Sequence, residues 1–133
     1  MLLNKVPLSL YVHLPWCETQ CPYCDFSITT DSVNGNDARL AEAIIKDVRQ
    51  SKDLIADRKF KTIYFGGGTP SLASTESIKH ILDSIKDKFL FNEAEITLEM
   101  NPNDVSGDRI DEFLMAGINR ISLGIQSYNN QEL

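Results

Sequence analysis

Short β-branched and apolar stretches alternate with longer stretches of helical periodicity along the whole chain, and this alternation restricts the fold more than any other feature. The segments "SLYVHL" at 8–13, "KTIYF" at 61–65, "EITLEM" at 95–100 and "NRISLGI" at 119–125 read as strands. Between the first two, Leu40, Ala41, Ile44, Ile45 and Val48 recur at helical spacing within 37–55, after the turn-rich "SVNGND". Ile78, Ile81, Leu82, Ile85 and Phe89 do the same within 75–89, with Ser74 as the expected N-cap. A last helix is expected from about Asp108 to Ala116, closed by Gly117 as its C-cap. The order βαβαβαβ belongs to the α/β class. It demands a parallel sheet with right-handed crossovers, either doubly wound or curled into a barrel.

Parallel sheets are normally covered on both faces, and the three helices expected here are few for four strands. The closing "RISLGIQSYNNQEL" reads as the lead into another helix. Residues 1–133 are therefore expected to form the N-terminal portion of a longer, partial (β/α) barrel.

Bulk properties narrow the function by exclusion. Apolar content of 42% and charged content of 24% suit a globular chain rather than a disordered or fibrous one. A net charge of −6, with basic residues scattered rather than clustered, argues against a nucleic-acid surface. No apolar run approaches the ~18 residues of a membrane span. The opening "MLLNKVPLSLYV" is interrupted by Pro7 and Ser9 and alternates like a strand. No small-residue cleavage site follows before Trp16, so it reads as mature cytoplasmic protein.

All three cysteines, Cys17, Cys21 and Cys24, fall in one C-x3-C-x2-C loop directly after the first strand. Ligands in parallel α/β folds gather at the C-terminal ends of strands, where this loop begins. An odd set of clustered thiols fits a reducing compartment and metal chemistry better than a disulfide framework. Thiolates are soft ligands that suit iron-sulfur clusters or zinc. A 4Fe-4S cluster usually takes four cysteines, so three would leave one iron open for a substrate. Three other readings compete: a structural zinc held as Cys3His with His13, a redox dithiol of Cys21 and Cys24, and inert buried thiols. His13 itself reads more readily as a loop-packing group, or as one that supports a ligand, than as a ligand.

Three further strand ends carry polar or flexible residues. "GGGTPS" at 66–71 follows the second strand; it lacks the Lys-Ser/Thr of a phosphate loop and the spacing of a dinucleotide fingerprint. Its glycines allow a backbone to approach a ligand closely. Glu99 ends the third strand in "LEMNP", and Gln126 follows the fourth in "LGIQS". The acid can accept hydrogen bonds from ribose hydroxyls or an ammonium, and the amide can donate and accept.

The segments "YVHLPWCETQCPYCDF", "GGGTPS", "LEMNP" and "RISLGIQSYN" together resemble the radical S-adenosylmethionine (SAM) superfamily, and within it the oxygen-independent coproporphyrinogen III oxidase family, especially its haem chaperone branch. The resemblance implies that Cys17, Cys21 and Cys24 hold three irons of a 4Fe-4S cluster, with SAM chelating the fourth. It implies SAM contacts at Tyr11, Gly67 and Glu99, with Tyr23, Gly68, Thr69 and Gln126 near that SAM or a second one. Reductive cleavage of SAM to a 5′-deoxyadenosyl radical, haem or coproporphyrinogen as a further ligand in the full-length protein, an electron donor and a haem acceptor protein are implied in the same way. The oxidase carries a fourth cysteine where this chain has Phe26, and "CDF" instead matches the chaperone branch, whose members bind haem and pass it on.

Overall fold

The computed structural model describes residues 6–55, 58–87, 89 and 93–132. Residues 1–5 of the N-terminal stretch, and Lys88 within the helix expected over 75–89, lie outside the described residues. Four strands, β1 (Leu8–Leu14), β2 (Phe60–Gly67), β3 (Glu95–Met100) and β4 (Arg120–Leu123), form one sheet in the order β1-β2-β3-β4. Every pairing is parallel. The crossovers are α1 (Asn36–Gln50) followed by the single turn α2 (Lys52–Ile55), then α3 (Thr75–Lys86) and α4 (Gly107–Ala116).

The strand order decides between the two architectures open to the sequence. A doubly wound sheet reverses direction at a switch point, whereas a barrel adds each strand beside its predecessor. Here the order is sequential without reversal. In agreement with that winding, α1 packs on α3 and α3 on α4.

Register sorts the side chains onto two unlike faces. The row Val12–Phe65–Leu98–Ile121 is apolar, and its first three members are buried with the apolar stripes of the helices. Successive residues of a strand point to opposite faces, so the neighbouring row Tyr11–Tyr64–Thr97–Arg120 lies on the other side of the sheet. There Tyr11 is exposed and Tyr64 half-buried. The core comprises that apolar row with Ala41, Ile45 and Val48 of α1, Ile78, Ile81, Leu82 and Ile85 of α3, and Phe113 of α4. Each such large side chain contributes about 1.5–3 kcal/mol by leaving water.

Helix boundaries follow local chemistry. Ser74 caps α3 by accepting from the Ser77 backbone N–H, and Gly117 closes α4 with φ 110°, both as the sequence indicates. The helix expected unbroken over 37–55 is instead divided at Ser51, which terminates α1 and whose carbonyl starts α2 by accepting from Leu54 and Ile55. Serine favours caps over helix interiors because its groups compete for backbone hydrogen bonds. The new turn brings Ile55 into the core and leaves Leu54 in solvent.

Candidate functional site

The cysteine loop leaves and rejoins the sheet at one point. Cys17 N–H donates to Thr29 O at 3.0 Å and Thr29 N–H to Pro15 O at 2.8 Å, so the ends of the excursion are pinned together. Trp16 is buried beneath it, and a turn closed by Cys24 N–H to Cys21 O at 3.0 Å brings the second and third thiols round. The glycine segment is laid against the same base: Gly68 N–H donates to Leu14 O at 2.9 Å and Thr69 N–H to Trp16 O at 2.6 Å.

This close approach explains two of the glycines. A Cβ on Gly68 would lie 2.4 Å from Trp16 O, which no real side chain tolerates. Gly67 has φ +121°, and a Cβ added there would lie 2.7 Å from the His13 ring, so the position needs both the left-handed conformation and the missing side chain.

A cleft of about 530 Å³ opens at the C-terminal ends of the strands. The loop after β1 contributes Cys17, Cys21, Tyr23 and Cys24 to it, and the turn after β2 contributes Gly67, Gly68 and Thr69. Glu99 from β3 and Gln126 from beyond β4 complete the residues the sequence singles out. All three thiols are unpaired; Cys21 is exposed, and Cys17 and Cys24 are half-buried. Interaction with the neighbouring Cys21 thiol is the first cause of the raised pKa of Tyr23.

Glu99 has both oxygens engaged, Oε1 by the Tyr64 hydroxyl at 2.8 Å and Oε2 by the Gly67 N–H at 3.2 Å. Tyr64 is pulled down by its hydrogen bond to Ser122 but pushed up by burial and by the Glu99 carboxylate, and the net shift is upward. Gln126 adopts φ 62°, a left-handed conformation uncommon for glutamine and of the kind that gathers at binding sites.

Tyr11 stands apart from the cleft lining. Its ring stacks on Tyr64 with centroids 6.1 Å apart and planes inclined by 18°. Burial, then the Glu99 charge and Tyr64, raise its pKa. Its hydroxyl donates to His13 Nδ1 at 3.3 Å, while His13 Nε2–H donates to Ser27 O at 2.8 Å. Both ring nitrogens of His13 thus have hydrogen-bond partners, as a loop-packing group would.

The donor set fits a thiophilic group. Three free thiols share a cleft with an acceptor-only carboxylate, a carboxamide and backbone brought close by glycine. Sequence reasoning passed over Tyr64, Asn101 and Ser122. Alternation along β4 could have found Ser122, which pairs with Glu99, and Asn101 lies inside the quoted "LEMNP".

Comparison with known proteins agrees with this geometry. Residues 11–133 match the radical SAM superfamily. The chain is 45% identical over 132 residues to the heme chaperone HemW of Haemophilus influenzae, covering 96% of this chain and 34% of that protein. It is 35% identical over 127 residues to the oxygen-independent coproporphyrinogen III oxidase of Salmonella typhimurium, covering 94% and 28%. The solved structure of coproporphyrinogen III oxidase (HemN) from Escherichia coli superposes with a TM-score of 0.84 at 29% identity, over 96% of this chain and 30% of that one. The chain thus spans about a third of the length of the curated relatives it matches. With its sequential parallel sheet and its cysteine loop at the C-terminal edge, the chain belongs to the radical SAM superfamily.

Proposed function

We propose that this chain is the N-terminal part of a cytoplasmic radical SAM protein of haem metabolism, a haem chaperone that binds a 4Fe-4S cluster, SAM and haem. The observation that carries the reading is the gathering of Cys17, Cys21 and Cys24 with Gly67–Thr69, Glu99 and Gln126 around one cleft. When bound, a cluster with SAM at its open iron would supply one-electron chemistry.

In this reading the three thiolates hold three irons, and the cleft beside them receives SAM. Gly67 and Gly68 allow backbone close to the ligand, and Glu99 offers a negative acceptor to its ammonium or ribose hydroxyls. Gln126 supplies a donor and an acceptor from the last strand end. Tyr11 acts from outside the cleft lining, through the Tyr64 ring that in turn holds Glu99. Tyr23 and Thr69 flank the thiols. An electron donor and a haem acceptor protein complete the partners.

Phe26 favours the chaperone over an oxidase that decarboxylates coproporphyrinogen. It is exposed, lines the cleft, and occupies the place where the oxidase pattern has a fourth cysteine. The test is electron paramagnetic resonance of the anaerobically reconstituted, reduced full-length protein with and without SAM. A 4Fe-4S signal that shifts on adding SAM is expected. A silent, colourless protein containing zinc would overturn the reading.

A further inference from the structure

Behind Cys17 the structure holds a short chain of hydrogen bonds that the roles above leave unused. Thr69 is 6% exposed, and its backbone is fixed at both ends, by its N–H on Trp16 O at 2.6 Å and its carbonyl under Leu72 N–H at 3.0 Å. Its Oγ1 lies 3.6 Å from Cys17 Sγ and 3.3 Å from Asn101 Nδ2. The amide of Asn101 can only donate there, so Thr69 Oγ1 accepts. The single hydroxyl proton is then left for the sulfur.

The supports of this chain come from different elements. Ser71 Oγ donates to Asp104 Oδ2 at 2.6 Å, and Arg109 Nη2 donates to Ser71 O and Ala73 O, both at 2.9 Å. Asp104 N–H closes a turn on Asn101 O at 3.0 Å. The segment carrying Thr69 and the turn carrying Asn101 are thereby tied to each other, and the hydroxyl is held toward Cys17 rather than free to rotate.

We propose that Asn101 and Thr69 form a relay that donates a hydrogen bond to the Cys17 sulfur and raises the reduction potential of the cluster bound there. This rests on the iron-sulfur reading above. Adding one electron increases the negative charge on the cysteine sulfurs, so a donor aimed at one of them stabilises the reduced state more than the oxidised one. The electron comes from a low-potential one-electron donor; no proton is transferred and no bond is made or broken. Thr69 and Asn101 are positioning residues, acting through Cys17.

The test is a redox titration of the full-length protein, anaerobically reconstituted and free of SAM, with dithionite as reductant and paramagnetic resonance as readout. Thr69→Val, which keeps the shape and removes the hydroxyl, should retain iron and sulfide and move the midpoint to more negative potential. The reduced-to-oxidised ratio at fixed potential should fall roughly three- to tenfold, tenfold being about 59 mV for a one-electron couple. Asn101→Ala should move it the same way by less, and Thr69→Ser should restore the parent value. An intact cluster with the parent midpoint in Thr69→Val overturns the relay. If Thr69→Val does not reconstitute, Asn101→Ala decides, an unmoved midpoint overturning the relay. Absence of a 4Fe-4S signal from the parent protein overturns the iron-sulfur reading itself.

Discussion

Glu99 joins two parts of the site through one carboxylate, since its oxygens hold the Tyr64 hydroxyl and the Gly67 N–H. Its charge and its shape can be separated experimentally. Glu99→Gln keeps the size and an oxygen for one donor but removes the negative charge, so the glycine turn should persist. Iron and sulfide content should match the parent, while SAM affinity falls roughly ten- to hundredfold, the range expected when a charge-assisted bond becomes a neutral one. Anaerobic calorimetry measures this, and unchanged affinity would remove Glu99 from the SAM contacts. The same substitution should let Tyr64 ionise at lower pH, because the carboxylate is among the causes holding its pKa up.

At the scale of elements, the starts of α1 and α3 are locked together by one buried acid. Asp37 Oδ2 accepts from Ser74 N–H at 3.0 Å, Ser74 Oγ at 2.6 Å and Ser77 Oγ at 3.1 Å. Burial pushes the Asp37 pKa up, but these donors and the Ala38 N–H outweigh it, and the net shift is downward. A carboxylate with a lowered folded pKa stabilises the fold above its ordinary titration range, and that stability is lost as pH falls through the folded value. Asp37→Asn should therefore cost about 1–3 kcal/mol near neutral pH. The gap between parent and variant should close on acidification below about pH 4. Urea unfolding of both proteins from pH 6 downward checks this, and a gap that persists in acid would show that packing rather than charge is responsible.

At the scale of the whole molecule, the sheet has one apolar face under helices and one polar face carrying Tyr11, Tyr64, Thr97 and Arg120. Thr97 on that face is buried and accepts from Arg120 Nη1 at 3.2 Å, which places a cation beside the tyrosine pair. β1 and β4 are the edges of the four-stranded sheet. Leu123, Ile125 and Tyr128, in and after β4, are exposed. An edge strand with unpaired backbone groups and nearby apolar side chains is a template for a second chain. Expressed by itself, the 133-residue chain should self-associate, with a sedimentation coefficient that rises with concentration. A concentration-independent monomer would show the edge to be protected.

What the sequence determined by itself was local. Apolar and β-branched runs marked the four strands, helical spacing marked α1 and α3, and Gly117 marked the end of α4, because each of these signals is carried within one element. The cysteine loop, the glycines, Glu99 and Gln126 were legible because parallel topology sends every strand's C-terminal end to one edge, where all of them line the cleft. The tertiary structure alone decided the sequential winding, the division at Ser51, the position of Tyr11 behind Tyr64, and the pairings of Asp37 with Ser74 and of Thr69 with Asn101 and Cys17. Those pairings join residues more than thirty positions apart. No local period encodes such a pair, since its geometry exists only after crossovers and turns have brought separate strand ends together.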